Sequence, residues 1–141
     1  MNTTLFYSSI IIGIIIIAIS IYFYNKKLLP LYAITYVGIA TSIINHGITS
    51  NAAKNLDRTI MLISAAVYIY YGLKIQNKML QLVTLSIVVL MMLLYVSSKF
   101  IKKFIDSDNG NNLAANIHVV VHCISLLLFG ILIINEYLTN K

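Results

Sequence analysis

The sequence predicts an all-α integral membrane protein, a single transmembrane domain over residues 1–141 built of about five helices. Three observations carry this reading. Of the 141 residues 60% are hydrophobic and 10% charged, whereas a soluble domain carries roughly a quarter charged residues. Apolar runs recur along the whole chain, and a run of about 18 residues is long enough to cross a hydrocarbon core of roughly 30 Å. Only short polar stretches separate them, which leaves no room for a soluble domain. A multi-pass location in a membrane follows.

The first helix is expected from Leu5 to Tyr24. It is longer than the roughly 7–15 residues of a signal-peptide core, no basic region precedes it and no small-residue cleavage site follows, so it reads as retained. Tyr22, Phe23 and Tyr24 with Lys26 and Lys27 form an interfacial belt at its end. Pro30 suits the first turn of a second helix, where its missing N–H costs nothing, and that helix runs from Leu29 to Ile48, with Gly47 marking its end. Thr49 to Asn55 reads as a loop, and a third helix runs from Asp57 to Leu73, the carboxylate favoured at its start by the helix dipole. Lys74 to Lys78 is a short connection before a fourth helix from Met79 to Phe100. Asp106 to Asn112, with Asn109-Gly110, reads as a turn, and the fifth helix covers Leu113 to Tyr137.

Helix parity assigns the connections to two faces. The N-terminus, the Thr49–Asp57 stretch and the Asp106–Asn112 turn share side A; the Lys26-Lys27 and Lys74/Lys78 connections share side B with the C-terminus. Lysine and arginine divide equally, five to each side, so the positive-inside rule sets no orientation. The net charge of +6 is spread in short pairs between apolar runs, the pattern of interfacial anchors, and nucleic acid is not an expected partner. The single Cys123 forms no internal disulfide and reads as a small packing residue.

Ionisable residues inside membrane helices are costly and mark candidate sites. All three histidines fall inside expected helices: His46 near the end of the second, His118 and His122 in the first half of the fifth. His118 and His122 stand four residues apart, so both rings project from one helix face and can share a metal ion. Alone, this spacing is common. Topology strengthens it, because the second helix ends on side A where the third and fifth begin. At 1.5 Å per residue, His118 and His122 are expected roughly 8 to 14 Å inside the fifth helix, level with His46. Three neutral imidazoles leave one zinc position for water, the arrangement of a catalytic site, and zinc brings the pKa of such a water towards about 7.

Two further residues complete the constellation. Ser42 lies one turn before His46 on the same face, placed to hydrogen-bond a developing oxyanion. Asp57 suits a general base that takes a proton from the attacking water and passes it to a leaving amine or alcohol. The bland alternatives are a snorkelling histidine, an Asp57 paired with Arg58 or Lys54, and a serine bonded to its own helix. Asn45 and Asn116 flank the ligands and could orient them, and the tyrosines Tyr32, Tyr36, Tyr68, Tyr70 and Tyr71 read mainly as anchors and packing.

The set Ser42-x3-His46, then Asp57 after ten intervening residues, then a late His118-x3-His122 resembles the CREST membrane hydrolase superfamily, which includes the alkaline ceramidases and the progestin and adipoQ receptors. The spacing is closest to that of the alkaline ceramidases. The matching positions span Ser42 to His122, a little over half the chain. The resemblance implies a zinc ion on His46, His118 and His122, with Ser42 and Asp57 beside it as catalytic residues, and a lipid cleaved at a carbonyl, typically a ceramide amide. The family core has seven helices, so this chain reads as a shortened version lacking a pair between Asp57 and His118. Loss of a pair preserves parity. The smaller bundle leaves the substrate pocket open to lipid or completed by a second copy in a homo-oligomer. No Asp or Glu precedes Asp57, so the calcium site of the alkaline ceramidases is not expected.

The leading expectation is therefore a zinc-dependent lipid amidase or esterase. A receptor-like or structural member of the same superfamily, and a small metal or proton transporter using the same groups as a relay, are the alternatives.

Overall fold

The computed structural model describes residues 3–48, 50–105 and 108–139. Five α-helices make up almost all of it: α1 (Thr3–Tyr22), α2 (Leu29–Gly47), α3 (Asn51–Leu73), α4 (Lys78–Phe104) and α5 (Asp108–Thr139). Four of them, α1, α2, α4 and α5, are long and apolar enough to cross a membrane. α3 falls short of that measure because Asn51, Lys54, Asn55, Asp57 and Arg58 occupy its first third. Its apolar remainder packs between α2 and α4.

The helices close a ring in chain order, each packing on the next and α5 returning to α1. α1 and α5 run in the same direction, since Ser8 meets His122 near one end and Phe23 meets Tyr137 near the other. This is the up-and-down order that parity requires.

Local chemistry accounts for the boundaries. Asn25 caps a short 3₁₀ turn, Lys26–Leu28, its side chain accepting from the Lys27 N–H, and Pro30 lies in the first turn of α2. Asn77 caps α4 by accepting from the Leu80 N–H at 3.1 Å. The interior side of α1 carries Ile12 and Ile16, while Ile11, Ile14, Ile15, Ile17 and Ile21 are exposed. That exposed surface is apolar, as lipid contact demands. Gly13 lets α2 approach α1 closely, for a Cβ there would stand 2.9 Å from Ile39 Cγ2.

The two polar stretches on side A depart from the sequence reading. α3 begins at Asn51 and not at Asp57, because Ala52, Ala53 and Lys54 are good helix formers and extended Ser50 starts the helix in front of them. Asp57 thus sits in the second turn, where the dipole of the helix start has decayed. α5 begins at Asp108, so Asn109-Gly110 lies within a helix and not in a turn; Asp106 and Ser107 lie outside the described residues. α1 ends at Tyr22, two residues early, and α4 extends to Phe104.

The side B half is the packed half. Leu31, Leu128, Phe129 and Ile133 are 0% exposed and Leu28 and Ile16 are 1% exposed. Tyr32 reaches across this end to donate to the Phe23 carbonyl at 2.9 Å, and Tyr71 donates to the Lys27 carbonyl at 3.0 Å, so these tyrosines act as ties between connections. Truncating Phe129 to Ala tests this core. In water such a change costs about 3–5 kcal/mol, but lipid is as apolar as the side chain and removes the transfer part of that cost. The expected loss is about 2 kcal/mol, read as a lower midpoint in unfolding by a denaturing detergent.

Candidate metal centre

His46 is the second-last residue of α2, and His118 is the eleventh of α5. The extra length of α5 lifts its start above the end of α2, and the three imidazoles meet at one level. One ring nitrogen from each lies within 4.8 Å of those of the other two, and among the described residues this is the group of His, Cys, Asp and Glu side chains that can share a cation. Ring centroids are 5.2 Å apart for His46 and His118, 5.8 Å for His46 and His122, and 4.9 Å for His118 and His122. His46 and His118 are buried and His122 is partly so.

The donor set fits a divalent ion. Imidazole nitrogens are the ligand type that zinc and other first-row ions take, and here one from each of three rings converges from two helices. The cluster is thus consistent with a metal-binding site in a multi-spanning helical membrane protein.

The surroundings come from all five helices. From α1, Ser8 Oγ lies 3.2 Å from His122 Nδ1. On the other side of that ring, His122 Nε2 is 3.4 Å from Ser42 Oγ of α2, and Ser42 Oγ is 3.4 Å from Ser9 Oγ. Ser42 therefore faces the histidines and α1, although a serine in a membrane helix often turns back on its own carbonyls. From α3, Asp57 is buried and accepts from Asn45 Nδ2 at 2.7 Å. From α4, the Tyr95 ring lies 5.6 Å from that of His118, and the Lys99 ammonium sits 4.7 Å over Tyr95. Lys99 and Arg58 also supply positive charge around Asp57.

Asp57 is paired with neither Lys54 nor Arg58 as its closest partner; its 2.7 Å partner is the Asn45 amide. Asn45 consequently orients the carboxylate and not a histidine. Asn116, exposed on α5, faces away from the centre. Cys123 is exposed as well, so it is not a packing residue. Tyr68 is buried and lines the space below the histidines.

Two spaces flank the cluster. Towards side A lies a polar vestibule of about 770 Å³, walled by Asn45, His46, Asn51, Lys54, Lys99 and His118 among others. Below lies a cavity of about 100 Å³, reached by Ser42, Asp57, His118 and His122 and otherwise mainly apolar. His118 borders both. The helical extensions of α3 and α5 contribute to the vestibule walls, since Asn51, Lys54 and Asn111 line it.

Sequence reasoning gave α1 no part in the site. The available signal was Ser8-Ser9, a polar pair in an apolar run about two turns from side A. Ser8 can orient His122: its own hydroxyl hydrogen goes to the Leu5 carbonyl, which leaves Ser8 Oγ able to accept Nδ1–H at 3.2 Å and would leave Nε2 as the free acceptor of the ring. Replacing Ser8 by Ala is expected to weaken metal binding by about 10–100-fold, measured by competition with a chelator of known affinity.

Comparison of the chain with protein-family models, with curated proteins and with solved structures finds no match.

Proposed function

We propose that this multi-pass membrane protein is a zinc-dependent hydrolase that cleaves an amide or ester bond of a lipid, a five-helix relative of the CREST hydrolases with ceramidase-like chemistry. One observation carries the reading: three imidazoles, two buried and one partly buried, each with a nitrogen within 4.8 Å of the others', stand between a polar vestibule and a mainly apolar cavity that Ser42 and Asp57 also border. A lipid split at its carbonyl has that same division, with a polar leaving group on one side and a hydrocarbon chain on the other.

His46, His118 and His122 would hold the ion. Zinc, when bound, supplies a water of lowered pKa and polarisation of the carbonyl. The protein's own groups do the rest. Asp57, held by Asn45 at 2.7 Å, takes the proton of the attacking water and returns it to the leaving nitrogen or oxygen as the acyl bond breaks. Ser42, beside His122, donates its hydroxyl hydrogen to the oxyanion that forms on the substrate carbonyl. Before the oxyanion forms, that hydrogen can rest on Ser9 Oγ at 3.4 Å, since Ser9 gives its own hydrogen to the Leu5 carbonyl, and it turns to the oxyanion from there.

A relay for ions or protons requires polar groups through the full depth of the bundle. The side B half is instead filled by Leu31, Leu128, Phe129 and Ile133, all 0% exposed, which speaks against transport. The test is zinc content of the purified chain together with turnover of labelled ceramides and lysolipids carrying short as well as long acyl chains. Stoichiometric zinc with release of free acid is the expected result; a metal-free protein under non-chelating conditions refutes the reading, and zinc without turnover of any lipid points to the receptor-like alternative.

A further inference from the structure

The cavity beneath the histidines is short and has a floor. Its wall runs along α2 from Ser42 to Thr35 and along α1 from Ser9 to Ile16. Each stretch covers eight residues, seven steps of about 1.5 Å, so the cavity is about 10 Å deep. At the bottom Tyr68 and Thr35 share a hydrogen bond of 3.1 Å that ties α3 to α2. Tyr68 is 4% exposed and Ile16 is 1% exposed. One turn further down, Leu31 and Leu128 belong to the filled side B core.

Volume sets a tighter bound than depth. The cavity measures about 100 Å³, less than the roughly 150 Å³ of an apolar cavity that takes one benzene ring. Space of this size admits a handful of methylene groups and not the long acyl chain of a membrane lipid.

We infer that Tyr68 and Ile16 form a chain-length stop, so that the acyl group accepted below the metal centre is short, with about four carbons below the carboxyl group in the space of about 100 Å³. This rests on the hydrolase reading for turnover, but the length stop itself can be measured by binding alone. A linear carboxylate places its head at the metal and its tail in the cavity, as the product of hydrolysis would. The vestibule, walled by Asn45, Lys54 and Lys99, takes the polar leaving group.

The experiment titrates the full-length protein, loaded with Co²⁺, with linear carboxylates from acetate to palmitate, following the visible absorption of the metal. Affinity, referred to free carboxylate, is expected to rise by up to about fourfold per methylene and to level off by about pentanoate, as the volume of the cavity sets. In Tyr68→Ala the plateau moves to longer chains, and Ile16→Ala moves it through the opposite wall. Affinity that climbs without a break to palmitate in the unmodified protein overturns the length stop, as does a plateau that neither variant displaces. Nitrophenyl esters of the same acids then separate the two readings. A carboxylate plateau without hydrolysis of any ester removes the hydrolase and keeps the stop; hydrolysis indifferent to chain length does the reverse. Failure to bind Co²⁺ removes both.

Discussion

Replacing His118 by Ala is expected to leave the purified protein without stoichiometric zinc and without lipid hydrolysis. His118 is the member of the trio that borders both the vestibule and the cavity, and its ring lies 5.2 Å from that of His46 and 4.9 Å from that of His122. Its removal leaves two imidazoles, one from each of two helices. Losing only a hydrogen-bond partner of a ligand costs about 10–100-fold in affinity, so losing the ligand itself is expected to cost more than about 100-fold. Metal analysis after equilibration with a zinc buffer reads the effect, and far-ultraviolet dichroism checks that the helices persist. Full zinc occupancy in His118→Ala would show that the ion, if present, is held elsewhere.

How much of this centre was legible in the sequence follows from what fixes each residue. The meeting of His46 with His118 and His122 depends on two regularities of membrane helices, the 3.6-residue turn and the alternation of direction, and both can be counted along the chain. Asp57 reached the same level for a different reason than the one that singled it out. It was expected at a helix start, stabilised by the dipole, yet α3 begins at Asn51 and the carboxylate is held by Asn45 of α2 instead. Polarity suggested loops for residues 49–55 and 106–112, but beyond the hydrocarbon core a helix can carry polar side chains at no cost. Those extensions became part of the vestibule walls. Ser8 and Tyr95 escaped notice because a contact between α1 or α4 and α5 depends on helix rotation, and α1 in particular is apolar all round and gives no periodicity to fix it.

The vestibule and cavity also explain why five helices can suffice for a site. Each helix supplies a wall residue within one layer: Ser9, Ser42, Asp57, Met91 and His122 all border the cavity. The reduced bundle leaves little volume below that layer, since the ring of helices closes on Phe129 and its neighbours at once.

Asp57→Asn is the change that separates binding from chemistry. The substitution keeps the size of the side chain and an oxygen able to accept from Asn45 Nδ2, now at 2.7 Å, so the link between α2 and α3 survives. The basicity is lost. A positioned acid–base group contributes about 10²–10⁴-fold to rate, so turnover is expected to fall by that factor while zinc content stays at the unmodified level. Because Asp57 is buried beside the cavity and not among the three converging nitrogens, the metal has no reason to leave with its charge. Undiminished hydrolysis would remove Asp57 from the proton path. Loss of zinc together with activity would instead make the carboxylate part of what holds the histidines together, and the base would have to be sought among the groups facing the vestibule.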